Sequence, residues 1–483
     1  MEDTAIYLIT LCKPLCQLLL TLALCLLIAH GCTVGPDFRP TLTRMPAAWT
    51  GPTGQMSFDE SRRAELLHWW TTFNDAVLTS LVQRAMQSNL DLLQAQARIR
   101  QARAARGVAF AGLWPFTDAT ASFSRSRSVG SSSLGTVGIM NNLYRTGLDA
   151  AWEADIFGGL RRTVETADAD LQTAVEAYGG IQVTLAGEVA LNYIDLRTFQ
   201  QEIVIARDNL EAQQRTAVIT GKRFEAGLVS ALDVANADAQ VATTTSLIPV
   251  LETSARQAIY NLSVLLGLEP AALIEELSQT VSIPGDPPAI PMLLPSDLLL
   301  RRPDIRQAEA QIHGATARIG VATADLFPKF NLTGSYGFQG DESGEWIKRA
   351  NRTWSFGPSV NWNIFDAGRI RFNIALQKAI QEETLHAYEK TVLTALQEVE
   401  NALIAYAKEQ ERRTALIDAV SANRKAVELS TKLYTEGLTD FLNVLSAQRA
   451  LFAAEDTLAL STRNLSADLV ALYKALGGGW ENQ

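Results

Sequence analysis

The run Trp354-Ser355-Phe356-Gly357-Pro358-Ser359-Val360-Asn361-Trp362-Asn363-Ile364 alternates strictly. Its even positions are apolar, and its odd positions include Ser355, Ser359, Asn361 and Asn363. A period of two marks a β-strand with one apolar and one polar face. Three more segments share the pattern. Phe330 to Phe338 sets Phe330, Leu332, Tyr336 and Phe338 against Asn331, Thr333 and Ser335. Gly147 to Ile156 sets Leu148, Ala150, Trp152, Ala154 and Ile156 against Asp149, Glu153 and Asp155. Thr117 to Arg127 is the weakest, with Ala119, Ala121 and Phe123 facing one way. Each runs roughly 10 residues, the length a tilted strand needs to cross a bilayer. Aromatic side chains gather on the apolar faces, as at the interfaces of a membrane barrel. A soluble sandwich would alternate too, but strand length and the aromatic faces favour transmembrane strands.

Four strands cannot close a barrel, and an open sheet edge in lipid leaves N–H and C=O groups unpaired. Subunits must pool strands. Two chains give eight strands around an interior filled by side chains, whereas three give twelve, wide enough for a pore. A polar face bearing Asp149, Glu153 and Asp155 belongs against water, which favours the trimer. These three acids are the candidate pore-lining residues, with a general preference for cations.

Outside the strands, residues 116–248 and 359–483 contain no proline, as very long helices require. Arg161 to Thr220 spans 60 residues and Arg369 to Leu433 spans 65, about 90 and 98 Å as helix. Both carry apolar residues at three-four spacing (Leu185, Val189, Tyr193, Leu196; Leu396, Val399, Leu403, Tyr406). Each reaches a glycine, Gly227 or Gly437, and returns through another striped helix, giving two antiparallel helical hairpins. The two halves are copies. Leu113-Trp114-Pro115 aligns with Leu326-Phe327-Pro328 at an offset of 213, and Gly227-Leu228 with Gly437-Leu438 at 210. Leu266-Gly267 aligns with Leu476-Gly477, also at 210. The expected organisation is a first repeat over 63–275, a Pro-rich linker over 276–297 and a second repeat over 298–483.

Leu15 to Ala29 is an apolar run broken by Gln17 and Thr21 and followed by His30-Gly31-Cys32. It is shorter than the ~20 residues of a membrane span and reads as the core of an export signal over residues 1–31. An extended segment, 32–62, follows. Of the four cysteines (Cys12, Cys16, Cys25, Cys32) only Cys32 survives cleavage. It excludes a disulfide framework and leaves Cys32 as the candidate lipidation site. With 42 basic and 52 acidic side chains and a net charge of −10, no nucleic-acid partner is expected.

A family resemblance runs through nearly the whole mature chain. It is carried by Gly31-Cys32-Thr33-Val34-Gly35-Pro36-Asp37-Phe38, Trp69-Trp70 with Phe73, and Asn89-Leu90-Asp91-Leu92. Phe365-Asp366-Ala367-Gly368-Arg369, Ala447-Gln448-Arg449 and the ending Leu472-Tyr473-Lys474-Ala475-Leu476-Gly477-Gly478-Gly479-Trp480 continue it. These residues resemble the TolC-type outer-membrane efflux factors, most of all the NodT/OprM-like lipoprotein branch. The resemblance implies a mixed α and β membrane protein: a homotrimer with a 12-stranded barrel in the cell outer membrane and a periplasmic α-barrel of helical hairpins. It implies a passive exit duct for small toxic molecules, with a periplasmic adaptor (membrane fusion) protein and an inner-membrane RND-type transporter as partners. Outer-membrane lipid, through a palmitate-bearing Cys32, is a further expected contact.

The resemblance also assigns the periplasmic tips to two turns. One carries Gly227, Leu228 and Ser230; the other carries Gly437, Leu438, Asp440 and Phe441. Three Asp440 carboxylates around one axis repel, and three Phe441 rings would plug a narrow opening. In the alternative, Asp440 caps the returning helix. No cofactor, metal site or catalytic residue is expected, because His30, His68, His313 and His386 are scattered and no phosphate-binding or nucleophile motif occurs. Rival readings are a type I protein-secretion duct, a metal-cation exporter, and a structural coiled-coil envelope protein. The last leaves four amphipathic strands without a purpose.

Overall fold

The computed structural model describes residues 33–40, 45–50, 56–57, 66–132, 135–284, 290–291, 297 and 301–480. The expected signal segment, Cys32, and residues 285–289 and 292–296 of the Pro-rich linker lie outside them. After a 3-10 turn, Trp69–Phe73, come α1 (Ala76–Ser88) and α2 (Leu90–Ala111), then β1 (Phe116–Ser132) and β2 (Gly135–Ala154). α3 (Gly159–Glu225) and α4 (Ala231–Leu265) form the first hairpin. The second half repeats the order with α5 (Pro303–Ala324), β3 (Lys329–Gly340), β4 (Arg352–Asn361), α6 (Arg369–Thr435) and α7 (Phe441–Ala475).

The duplication is visible in the element lengths. α2 and α5 have 22 residues each, α3 and α6 have 67, and α4 and α7 have 35. A helix of 67 residues is about 100 Å long. One difference breaks the equality: α4 holds Pro249 in its interior, where the equivalent position of α7 is Ala459. Among the described residues no helix is long and apolar enough to cross a membrane.

The chain divides into two compact units that cut across the repeat, each drawing on both halves. One comprises residues up to 41, 99–173 and 308–388 and contains the sheet. Its strands run antiparallel in the order β1-β2-β3-β4. The register puts Ala119, Leu148, Tyr336 and Trp354 in one row, and Asp118, Asp149, Ser335 and Ser355 in the next. Residues directly opposite share a face, so the apolar and polar faces are those the alternation predicts. The apolar face is bare: Trp354 is 70%, Phe356 71% and Val360 59% exposed, an arrangement suited to lipid.

Two boundaries differ from expectation. β1 and β2 have 17 and 20 residues, because Gly135–Leu143 continues to pair with β1 alone after β3 has ended opposite Tyr144. That ribbon is rich in Ser and Gly and lacks the apolar alternation that marks a lipid-crossing stretch. At the other end, β4 stops at Asn361, and Trp362 donates its indole N–H to the Leu326 carbonyl (3.0 Å) instead of extending the strand.

The second unit comprises residues 42–98, 174–307 and 389–483. Trp69 is buried and stacks on Tyr473 with centroids 5.3 Å apart. Asp75 caps α1 by accepting from the Val77 and Leu78 N–H groups at 2.8 and 2.9 Å. Its other oxygen accepts from the Tyr193 hydroxyl (2.7 Å), tying α1 to α3. Burial, with Asp75 as the hydrogen-bond acceptor, pushes the Tyr193 phenol well above its ordinary value.

Candidate channel-lining and entrance sites

On the polar face of the sheet, Asp149 accepts from the Thr120 hydroxyl (3.0 Å) and lies 3.8 Å from the Arg145 guanidinium. Glu153 stands opposite Asn331, which stands opposite Ser359. Asp118, directly opposite Asp149 in the register, joins this face. It belongs to the weakest of the four alternating segments, where its even position was the signal. Asp155 does not line this face. It lies one residue beyond β2, and its carboxylate accepts from the Leu160 and Arg161 N–H groups (3.1 and 2.9 Å) and from Arg161 Nε (3.2 Å). Its charge sits at the start of α3, where a negative group stabilises the helix dipole. The strand ends at Ala154, so the alternation that assigns faces does not reach Asp155.

The two turns of the helical hairpins are built alike. Leu228 N–H bonds to the Arg223 carbonyl and Gly227 N–H to the Phe224 carbonyl, both at 2.8 Å. Leu438 and Gly437 repeat this with Leu433 and Tyr434 (2.8 and 3.0 Å). This glycine-terminated motif needs a left-handed residue, and Gly227 and Gly437 have φ of +75° and +78°. Leu228 and Leu438, next in line, are 66% and 69% exposed. The starts of the returning helices differ. Ser230 and Asp233 form a reciprocal capping box, whereas Asp440 holds the cap position with no hydrogen bond to its side chain.

Phe441 corrects an expectation. It is 2% exposed, in a cluster with Ala237, Tyr434, Val444 and Leu445, and its centroid lies 5.9 Å from that of Tyr434. The ring cannot serve as a free plug because it is the core of the tip. Arg223 of the first hairpin donates to the Tyr434 carbonyl of the second (2.8 Å), its guanidinium 4.8 Å from the Tyr434 ring centroid. Tyr434 donates to Thr220 at 3.1 Å. The two turns are thereby joined.

Along the same helices, Glu202 on α3 is buried, and that burial, with the Asp456 charge on α7, pushes its carboxyl up to about 7. Asp468 is raised to about 6 by burial and by Glu409. No motif pointed to these groups; only a carboxylate inside an apolar stripe betrays them.

The segment following Cys32 is clamped. Val34 N–H bonds to the Phe157 carbonyl (3.1 Å). The buried Arg162 donates to the Val34 carbonyl (3.2 Å), Asp37 (2.6 Å) and Glu165 (2.7 Å). His313 is 3.0 Å from Glu165 and stacks on Phe38 at 4.6 Å.

A duplicated chain with an amphipathic four-stranded sheet and two long helical hairpins defines a channel subunit of the helix-and-barrel kind. The Outer membrane efflux protein family matches residues 81–268 and 294–478, and the chain belongs to that family. It is 34% identical over 459 residues to Nodulation protein T of Rhizobium leguminosarum bv. viciae, covering 94% of this chain and 92% of that one. It is 33% identical over 463 residues to the toluene efflux pump outer membrane protein TtgF of Pseudomonas putida, with 94% and 95% coverage. The outer-membrane channel OprN is similar in structure, with a TM-score of 0.85 at 36% identity over 93% of this chain and 100% of that one. The chain is the outer-membrane channel of a tripartite efflux system, extends into the periplasm and is not an enzyme.

Proposed function

We propose that three copies pool their sheets into a 12-stranded barrel and export small apolar or amphipathic toxic molecules delivered by an RND-type transporter. The observation that carries this is the sheet itself. β1 and β4 are its outer strands, and its apolar face is exposed over the length that crosses a bilayer. Pairing β1 of one copy with β4 of the next removes both edges, as lipid requires. The polar face, with Asp149 and Glu153, then lines water. The toluene named for one relative supports the substrate class, and neither protein secretion nor metal export is favoured.

The tip turns face the adaptor in this reading. Leu228 and Leu438 offer exposed apolar contacts, Gly227 and Gly437 set the turns, and Ser230 fixes the first one. The gate is the ring of Asp440 carboxylates, uncommitted to capping. Cys32 carries a lipid that joins the barrel in holding the membrane. The test is single-channel conductance of the purified trimer with and without its adaptor. The reading predicts a near-closed trimer that opens with the adaptor and, with Asp440→Ala, opens without it. A monomer in mild detergent, or a trimer that never conducts, defeats it.

A further inference from the structure

Beyond Tyr144, β2 leaves β3 and continues with β1 as a two-stranded ribbon. From Ala119 through Leu148 the chain contains no Asp or Glu but three arginines, Arg125, Arg127 and Arg145. Strand parity separates them. Arg145 lies on the polar face with Asp149, whereas Arg125 and Arg127 continue the row of Ala119, Ala121 and Phe123 on the apolar face. Both are exposed, and neither forms an ion pair among the described residues.

Their depth can be read from the aromatic residues. Phe123 and Tyr144 are paired with ring centroids 4.6 Å apart, and Tyr144 lies 6.3 Å from Trp346. Toward the helices, Trp152 on the same face donates to the Leu113 carbonyl (3.0 Å). Trp152 and Tyr144 are eight residues apart, about 27 Å along a strand and about 20 Å along the membrane normal at barrel tilt. That approaches the ~25 Å apolar band of an outer-membrane barrel. The helix ends of the strands face the periplasm, so Phe123 and Tyr144 mark the outer boundary. Arg125 and Arg127 follow roughly 7 and 14 Å further along the ribbon, at the depth of outer-leaflet headgroups. The Arg127 guanidinium lies across Gly138, where a Cβ would come within 2.5 Å of its Nε; the glycine leaves that space open.

We propose that Arg125 and Arg127 form a docking strip for the phosphate groups of a glycolipid in the outer leaflet. Guanidinium forks suit phosphate oxygens bidentately, and the strip carries no acid to oppose them. Asn142, opposite Arg125 on the same face, adds a neutral donor. The proposal rests on the barrel reading, so trimer formation and conductance are measured first, and their failure counts against that reading instead.

The parent trimer and the Arg125→Ala/Arg127→Ala variant are then titrated in detergent, with binding followed by native mass spectrometry. Separate arms use bisphosphorylated lipid A, its dephosphorylated form, phosphatidylglycerol and inorganic phosphate. The expected result is at least a tenfold loss of bisphosphorylated lipid A in the variant, with partial recovery in Arg125→Lys/Arg127→Lys. The dephosphorylated form should bind parent and variant alike. Equal binding of bisphosphorylated lipid A by parent and variant overturns the proposal. So does an equal loss of the dephosphorylated form, which makes the arginines packing groups, or of phosphatidylglycerol or phosphate, which makes them a general anion patch.

Discussion

Phe441 and Asp440 are neighbours at a helix start, yet they do opposite things. Phe441 fills the tip between Tyr434, Val444 and Leu445, so Phe441→Ala should cost about 3–5 kcal/mol locally. Hydrogen exchange at the tip amides should accelerate accordingly. Asp440→Ala removes no cap bond and should leave that exchange unchanged, whereas Ser230→Ala should cost roughly 1 kcal/mol. The burial of Phe441 was legible: 441, 444, 445 and 448 form a helical stripe, and that stripe outweighs the position of one ring near a turn. Glu202 gives a pH dependence whose sign follows from its raised pKa. Unfolded, it returns to an ordinary value near ~4.3, whereas folded it holds its proton up to about 7. The folded state therefore binds more protons between those values, so stability is highest below this range and falls as pH rises through it. Thermal midpoints at pH 5 and pH 8 should differ in the parent. They should converge in Glu202→Gln, mainly through a rise at pH 8.

At the level of elements, the helices were the most legible part, since glycine and proline punctuate them. α3 and α6 end where Gly227 and Gly437 stand just beyond. Replacing either glycine with Ala forces a Cβ into the left-handed region and should cost roughly 1–2 kcal/mol, measurable as a lower denaturation midpoint of the trimer. The strands were legible only where lipid imposes alternation. The β1–β2 ribbon obeys hairpin closure instead, which leaves no hydrophobic period to count, and the tail of the parity count wrongly placed Asp155 on the pore wall. Leu148 lies in the apolar row with Tyr336 and Trp354. Leu148→Arg should therefore cost about 2–4 kcal/mol near mid-bilayer and reduce heat-stable trimer in the outer membrane. Ser359→Arg, on the other face, should insert normally; equal loss from both would refute the face assignment.

For the whole molecule, the duplication could be counted in the sequence before any coordinate, and the identical lengths of three helix pairs repeat it. The two compact units were not legible, because each is assembled from segments hundreds of residues apart. The intact mass of the mature protein should reveal a diacylglyceryl-modified N-terminal Cys32, and Cys32→Ser should still assemble, because the barrel holds the membrane by itself. The clamp on residues 33–38 gives such an anchor a mechanical meaning. Thr33 lies against Gly158, and Arg162 grips Val34 and Asp37, so an acyl group on Cys32 starts a single Cα step, about 3.8 Å, from a fixed point at the rim of the sheet. If Cys32 bears the lipid, so short a tether would act as a depth gauge, setting how far the barrel can sink or rise before the inner leaflet resists.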